Sequence, residues 1–251
     1  MREPRLRMIF CDVDGTLLKK GESAVSQTIF ETIRRAHGNG LRFVVASGRT
    51  YTDLKNLFFP VKDIVTFVSN DGALAVDNEK VIYSAPIDTE FIGGILKDIS
   101  LSENEKVVAC LKDRECSFSR DDIQKLSYTK GEVYKLAFYK HCAVTKEKLG
   151  NRAVRSGKLS LVYSDREWTE YIKFRIDKGS AAEALQKYYG VTYAETVAFG
   201  DNINDLGMLR RARVSVAAPD AIPAVKRVCK YCVTDVADAI FKIIEEGEKY
   251  E

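Results

Sequence analysis

Short apolar runs recur along the chain, separated by stretches of helical periodicity, and this alternation limits the folds open to it. Residues 7–11 read as a strand. Val25, Ile29, Ile33 and Ala36 then recur at helical spacing, with Ser23 or Ser26 as N-cap and Gly38-Asn39-Gly40 as the stop. Residues 41–46, LRFVVA, predict a second buried strand; 52–59 predict a short amphipathic helix stopped by Pro60, and 64–69 a third strand. A strand-helix-strand-helix-strand order implies a parallel sheet covered on both faces.

The pattern then changes. Residues 73–76 and 81–84 flank Asp77-Asn78-Glu79-Lys80, a hairpin signal. From about Pro86 to Lys173 strand-like runs dominate, KVVACL, VYKLAFY, LSLVYS and WTEYIKFRI among them, with polar helices expected between. Alternation returns with a helix over 179–189, a strand over 196–199, a helix over 205–211, a strand over 214–217 and a last helix over 236–246. The expectation is an α/β protein: a doubly wound, Rossmann-like parallel-sheet core formed by 1–85 and 174–251, interrupted by an α+β insert at 86–173.

Composition narrows the function. With 251 residues, 45% of them hydrophobic, the chain can bury one large core or two modest ones. Its 39 basic and 36 acidic residues are interspersed, so no nucleic-acid footprint stands out. No apolar run is long enough to span a bilayer and no signal core precedes the first strand, so no membrane role and a cytoplasmic location are expected. A monomer or weak homodimer is the expected state. Of six cysteines, Cys229 and Cys232 form a C-x-x-C pair, but no second pair or nearby His completes a zinc site, and free thiols are expected.

The chemistry concentrates where predicted strands end. In IFCDVDGTLL the first strand runs into Asp12 and Asp14. In VAFGDNINDLGML a second strand ends at Gly200-Asp201, with Asn204-Asp205 opening a helix. Sites in open parallel sheets form beyond the carboxyl ends of strands. Acids from two strand ends meeting in one crevice repel unless a cation lies between them, and hard oxygen donors suit Mg²⁺. Ser47-Gly48-Arg49, after the second strand, offers a hydroxyl and backbone N–H groups to a phosphate oxygen. Lys178 opens a helix, where a cation is unfavourable to the dipole, so an anionic partner would explain it.

The set Asp12-x-Asp14-Gly15-Thr16, Ser47-Gly48-Arg49, Lys178-Gly179 and Gly200-Asp201-x-x-Asn204-Asp205 resembles the haloacid dehalogenase superfamily, most closely its Cof-type, sugar-phosphatase-like branch (subfamily IIB). The motifs stand in the family's order and span nearly the whole chain. The insert falls between the second and third, where this branch carries its C2-type cap. The resemblance implies a phosphatase with Asp12 as nucleophile, forming an aspartyl-phosphate, and Asp14 as general acid and base. Ser47 and Lys178 would hold phosphoryl oxygens, with Gly48, Arg49, Asn70 and Asn204 on the substrate side. Mg²⁺ would sit on Asp12, the Asp14 backbone carbonyl and Asp201, with Asp205 close by, directly or through water. One departure stands out: the usual Asn-Gly-Ala after the third strand appears as Asn70-Asp71-Gly72-Ala73, so either Asn70 is displaced by one position or Asp71 replaces it. The expected partner is a small phosphorylated metabolite, a sugar phosphate first and phosphoglycolate second. A phosphomutase of the same superfamily and a catalytically idle metabolite-binding regulatory module are the alternatives.

Overall fold

The computed structural model describes residues 5–19, 21–88, 91–92, 101–128, 131–139, 157–163 and 168–246. Two sheets organise them. The larger has eight strands in the order β13-β12-β11-β1-β2-β3-β4-β5, and the smaller has five, β7-β6-β8-β10-β9.

In the larger sheet β1 (Met8–Asp12), β2 (Arg42–Ala46), β3 (Val65–Ser69), β11 (Thr196–Gly200), β12 (Val214–Ala217) and β13 (Tyr231–Cys232) run parallel. The expected hairpin, β4 (Leu74–Asp77) and β5 (Lys80–Ser84), closes one edge antiparallel. Strand β1 illustrates why both faces need helices. Ile9 and Cys11 pack into one apolar cluster while Met8 and Phe10 pack into the other, as side chains alternate across a strand. Helices α1 (Gln27–Gly38), α2 (Tyr51–Leu57) and α6 (Val236–Glu246) cover the first face. Helices α3 (Lys178–Tyr189), α4 (Leu206–Leu209) and α5 (Pro223–Val228) cover the second.

Local chemistry sets the boundaries. Ser26, rather than Ser23, caps α1 by accepting from the Ile29 N–H. Thr50 caps α2 one residue earlier than expected, and Pro60 sits inside a 3₁₀ turn, Phe59–Val61, that follows the helix. The helix expected over 205–211 is shorter, because Ile203–Asp205 winds as a 3₁₀ turn before α4.

The chain leaves β1 towards β2 and β3 on one side, and returns through β11 to β12 and β13 on the other. The winding direction therefore reverses between β1 and β11, and a crevice opens beyond the carboxyl ends of these two strands.

The smaller sheet comes from the insert. Its strands β6 (Lys106–Cys110), β8 (Lys135–Tyr139), β9 (Leu159–Tyr163) and β10 (Trp168–Lys173) match the four expected runs, and β7 (Glu115–Phe118) is added at the edge. All pairings within it are antiparallel. Its own core includes Val107, Leu136 and an edge-on contact of Phe138 with Tyr171. The helices expected between these strands fall largely outside the described residues, as does Cys142. Among the described residues the cysteines are free thiols, with Cys229 half-buried and Cys232 exposed on the edge strand.

The segment after β3 is locally constrained. Asn70, Asp71 and Gly72 have φ of 50, 55 and 97° in succession. A Cβ on Gly72 would stand 2.0 Å from the Asp177 carbonyl oxygen, at the N-cap of α3. Gly72→Ala therefore meets both backbone strain and a clash with another backbone. It should cost about 2 kcal/mol or more, read as a lower urea midpoint at unchanged m-value. An unshifted midpoint would contradict this account.

Candidate active site

Asp12 ends β1 and Asp201 follows β11 directly. Because β1 and β11 are hydrogen-bonded neighbours, the two carboxylates face one crevice. Carboxylate oxygens of Asp12, Asp201 and Asp205 lie within 4.8 Å of one another. Gly15 makes the approach possible, since a Cβ there would stand 2.4 Å from Asp201 Oδ2.

Beneath the acids lies Lys178, only 1% exposed. Its Nζ donates to Asp12 Oδ1 at 2.5 Å and to Asp205 Oδ1 at 2.7 Å. The expected anionic partner of this helix-opening lysine is thus a pair of protein carboxylates. Burial works against its charge, but Asp12 and Asp205 outweigh it and hold the ammonium above the ordinary lysine range. The Asp12 carboxyl is pushed well above its ordinary range, by burial first and Asp205 next, with Lys178 opposing. Asp201 is also pushed up, by burial and then Asp205. One lysine does not balance three carboxylates, and a further cation would lower all of these costs.

The acids are not equivalent. Asp205 is fully engaged: Oδ2 accepts from the backbone N–H groups of Asp201 and Asn202, both at 3.0 Å, while Oδ1 takes Lys178. Its carboxylate shapes the loop that carries Asp201. Asp12 Oδ2, by contrast, is buried without a hydrogen-bond partner. Asp201 is half-buried, and its carboxylate receives a long contact from Thr16 Oγ1 at 3.5 Å. An orphaned buried oxygen beside hard carboxylate donors fits a divalent cation such as Mg²⁺.

Asp14 points elsewhere. Its carboxylate receives Arg49 through two bonds, Nε at 2.9 Å and Nη2 at 2.7 Å, and a long contact from Ser47 Oγ at 3.4 Å. The buried Ser47 hydroxyl also accepts from the Arg49 N–H at 3.1 Å. Arg49, expected on the substrate side, is here the partner of Asp14.

The crevice encloses about 420 Å³ and is lined by Asp12, Asp14, Ser47, Gly48, Arg49 and Asp201. Asn204 lines it too and donates to Asp71 Oδ1 at 3.1 Å. Asn70 does not line it. That side chain is fully buried, and the lining position of the loop belongs to Asp71. Successive left-handed residues turn Asp71 towards the crevice and Asn70 away, a geometry the one-residue ambiguity in the motif did not reveal.

The smaller sheet also reaches the crevice, through Glu115, Lys135 and Glu170. Lys135 Nζ donates to the Gly48 carbonyl at 2.7 Å and to Glu170 Oε1 at 2.9 Å, and lies 3.9 Å from Asp71 Oδ2. No motif marked this lysine. The only sequence signal is a cation inside the apolar run VYKLAFY.

Residues 9–244 match the family model of the haloacid dehalogenase-like hydrolases. The chain belongs to this family. Among curated members, this hydrolase is 24% identical to the 5-amino-6-(5-phospho-D-ribitylamino)uracil phosphatase YbjI of Escherichia coli, with 98% of this chain and 97% of that protein covered. It is 27% identical to YitU of Bacillus subtilis, which carries the same activity name, over 97% of this chain and 98% of that one. Among solved structures, TM0651 of Thermotoga maritima superposes with a TM-score of 0.80 at 23% identity, covering 95% of this chain and 97% of the other. The subclass IIB sugar phosphatase BT4131 gives 0.72 at 19% identity, covering 93% and 95%. The hydrolase thus has the family's α/β core with an inserted cap, and the smaller sheet is that cap. None of its described helices is long and apolar enough to cross a membrane.

Proposed function

We propose that this protein is a Mg²⁺-dependent phosphatase that hydrolyses phosphomonoesters of small metabolites through an aspartyl-phosphate on Asp12. The observation that carries the reading is the buried Asp12–Lys178–Asp205 arrangement. It holds one nucleophile oxygen on an ammonium and leaves the other without a partner, beside a second carboxylate. A binding module gains nothing from so costly a buried charge cluster. The curated relatives with named activities are phosphatases, and this hydrolase is a phosphoric monoester hydrolase of their kind.

In the first half-reaction an Asp12 carboxylate oxygen attacks phosphorus and the bond to the substrate's alkoxy oxygen breaks. Asp14, in its protonated form, gives that oxygen its proton. In the second half, the Asp14 carboxylate takes a proton from water. The water oxygen attacks phosphorus, the bond to Asp12 breaks, and inorganic phosphate leaves. Ser47 and Lys178 hold the phosphoryl oxygens. Arg49, paired with the Asp14 carboxylate through two bonds, would turn to the arriving phosphate and leave Asp14 free for the proton transfers. The Asp12 carboxylate, the Asp14 backbone carbonyl and Asp201 would hold Mg²⁺, with Asp205 fixing the Asp201 loop from behind. Bound there, Mg²⁺ would supply positive charge against the charge that develops on the transferring group.

The test is release of phosphate from p-nitrophenyl phosphate. Activity should be lost on exhaustive chelation, restored by Mg²⁺ and not restored by Ca²⁺. Ca²⁺ accepts more ligands at longer distances and can occupy both oxygens of Asp12. Full activity after chelation, or equal rates with Ca²⁺, would contradict the reading. Among substrates we place a sugar or polyol phosphate first; the 5-amino-6-(5-phospho-D-ribitylamino)uracil for which two curated relatives are named carries such a polyol phosphate.

A further inference from the structure

The acids at the reacting end of the crevice have cationic partners: Lys178 for Asp12 and Asp205, Arg49 for Asp14, and the metal expected beside Asp201. The wall beyond them does not balance in this way. Asp53, Asp71, Glu115 and Glu170 line it, against Lys135 as the one further cation among the described lining residues.

That cation is already committed. Lys135 is buried and bound to the Gly48 carbonyl and Glu170, with Asp71 Oδ2 close behind. Burial opposes its charge, yet Asp71 and Glu170 outweigh this and keep the ammonium firmly protonated. A second anion on the substrate would have to pull Lys135 from these partners. Meanwhile the exposed Glu115 faces the same space with acceptor oxygens, and the buried Asp71 carboxylate adds a further negative charge to the wall. Charges in a partly enclosed crevice act through a lower effective dielectric than water and are felt strongly by the ligand.

We propose that this wall selects the leaving group by charge, accepting phosphomonoesters of uncharged or cationic alcohols and rejecting those that bear a second anion. The inference rests on the phosphatase reading above and narrows it, setting carboxylate-bearing esters such as phosphoglycolate and all bisphosphates aside. Hydroxyl and ammonium groups find acceptors on the wall; carboxylates and phosphates find like charge.

Three esters of equal length provide the test: phosphoglycolate, 2-hydroxyethyl phosphate and phosphoethanolamine. Each is measured with the full chain and Mg²⁺, both as a substrate by phosphate release and as a competitive inhibitor of p-nitrophenyl phosphate hydrolysis. By kcat/KM, or by inhibition constant where turnover is too slow to read, phosphoglycolate should rank at least about tenfold below the neutral ester. Phosphoethanolamine should equal or exceed the neutral ester. Glu115→Lys, at an exposed position, should narrow the gap between phosphoglycolate and the neutral ester about fivefold or more. Phosphoglycolate on a par with 2-hydroxyethyl phosphate, or a gap unmoved by Glu115→Lys, would overturn the charge selection while leaving the phosphatase intact. Absence of p-nitrophenyl phosphate hydrolysis by the parent protein would sink the phosphatase reading, and this inference with it.

Discussion

Asp12→Asn should lower steady-state turnover by at least about 10⁴-fold, the scale on which loss of a covalent nucleophile is felt, while the fold persists. The substitution keeps the volume of a fully packed strand end. Asn still offers an oxygen to Lys178, and Lys178 keeps Asp205. It also removes a buried carboxyl that burial first and Asp205 next push well above its ordinary range. Without metal, the variant should therefore melt no lower than the parent. Phosphate release from p-nitrophenyl phosphate and thermal unfolding in chelator check the two halves. Turnover within a hundredfold of the parent in a pure preparation would contradict covalent catalysis at Asp12. A collapsed melting temperature would contradict the electrostatic account of the cluster.

Lys178→Met should be damaging in both respects. The side chain is fully buried, and its removal leaves Asp12 and Asp205 without their shared cation. Breaking a buried pair on one side costs roughly 3–5 kcal/mol, on the order of 10 °C for a chain of this size. Turnover should fall at least about 10³-fold, since the nucleophile loses its positioning and the phosphoryl oxygens their donor. Mg²⁺ should recover part of the lost stability but little of the activity, because a divalent ion can neutralise the same carboxylates without restoring the bond to Asp12 Oδ1. Parent-like melting in chelator would show that the ammonium is not what holds these acids together.

The two variants also mark what could be read from the chain alone. Strand ends carrying acids are visible because a buried parallel strand has few reasons to finish in Asp12 or Asp201. Helix α5 and strand β13 were not foreseen. Tyr231–Cys232 is only two residues long and owes its extended form to pairing with Val216 and Ala217, a tertiary fact without local periodicity. Strand β7 was missed for a similar reason, as ECSF is only four residues long, too short for its alternation to stand out, and is defined by its partner β6. In the site, the choice between Asn70 and Asp71 turned on backbone dihedrals that a one-residue shift in a motif does not disclose. Lys135 stayed hidden because its partner lies diagonally across the sheet: Lys135 sits opposite Ile172, and Glu170 is two residues along. A lysine and a glutamate on separate strands meet only in one register.

The order of the strands has a bearing on how the molecule comes into being. On a ribosome β1 emerges ahead of the other described strands, but its neighbour β11 lies beyond the whole insert, and the ammonium that reaches Asp12 stands 166 residues further on. Until then a nascent chain carries β1, β2 and β3 with one flank of β1 unsatisfied, an edge open to wrong partners. The insert, with its own antiparallel sheet and apolar cluster, emerges during that interval and has what it needs to collapse first. The hydrolytic centre consequently assembles late, because it needs β1 and β11 from opposite sides of the insert. A chain cut short anywhere before Thr196 is left with Asp12 and a flank of β1 that nothing in its own length can close.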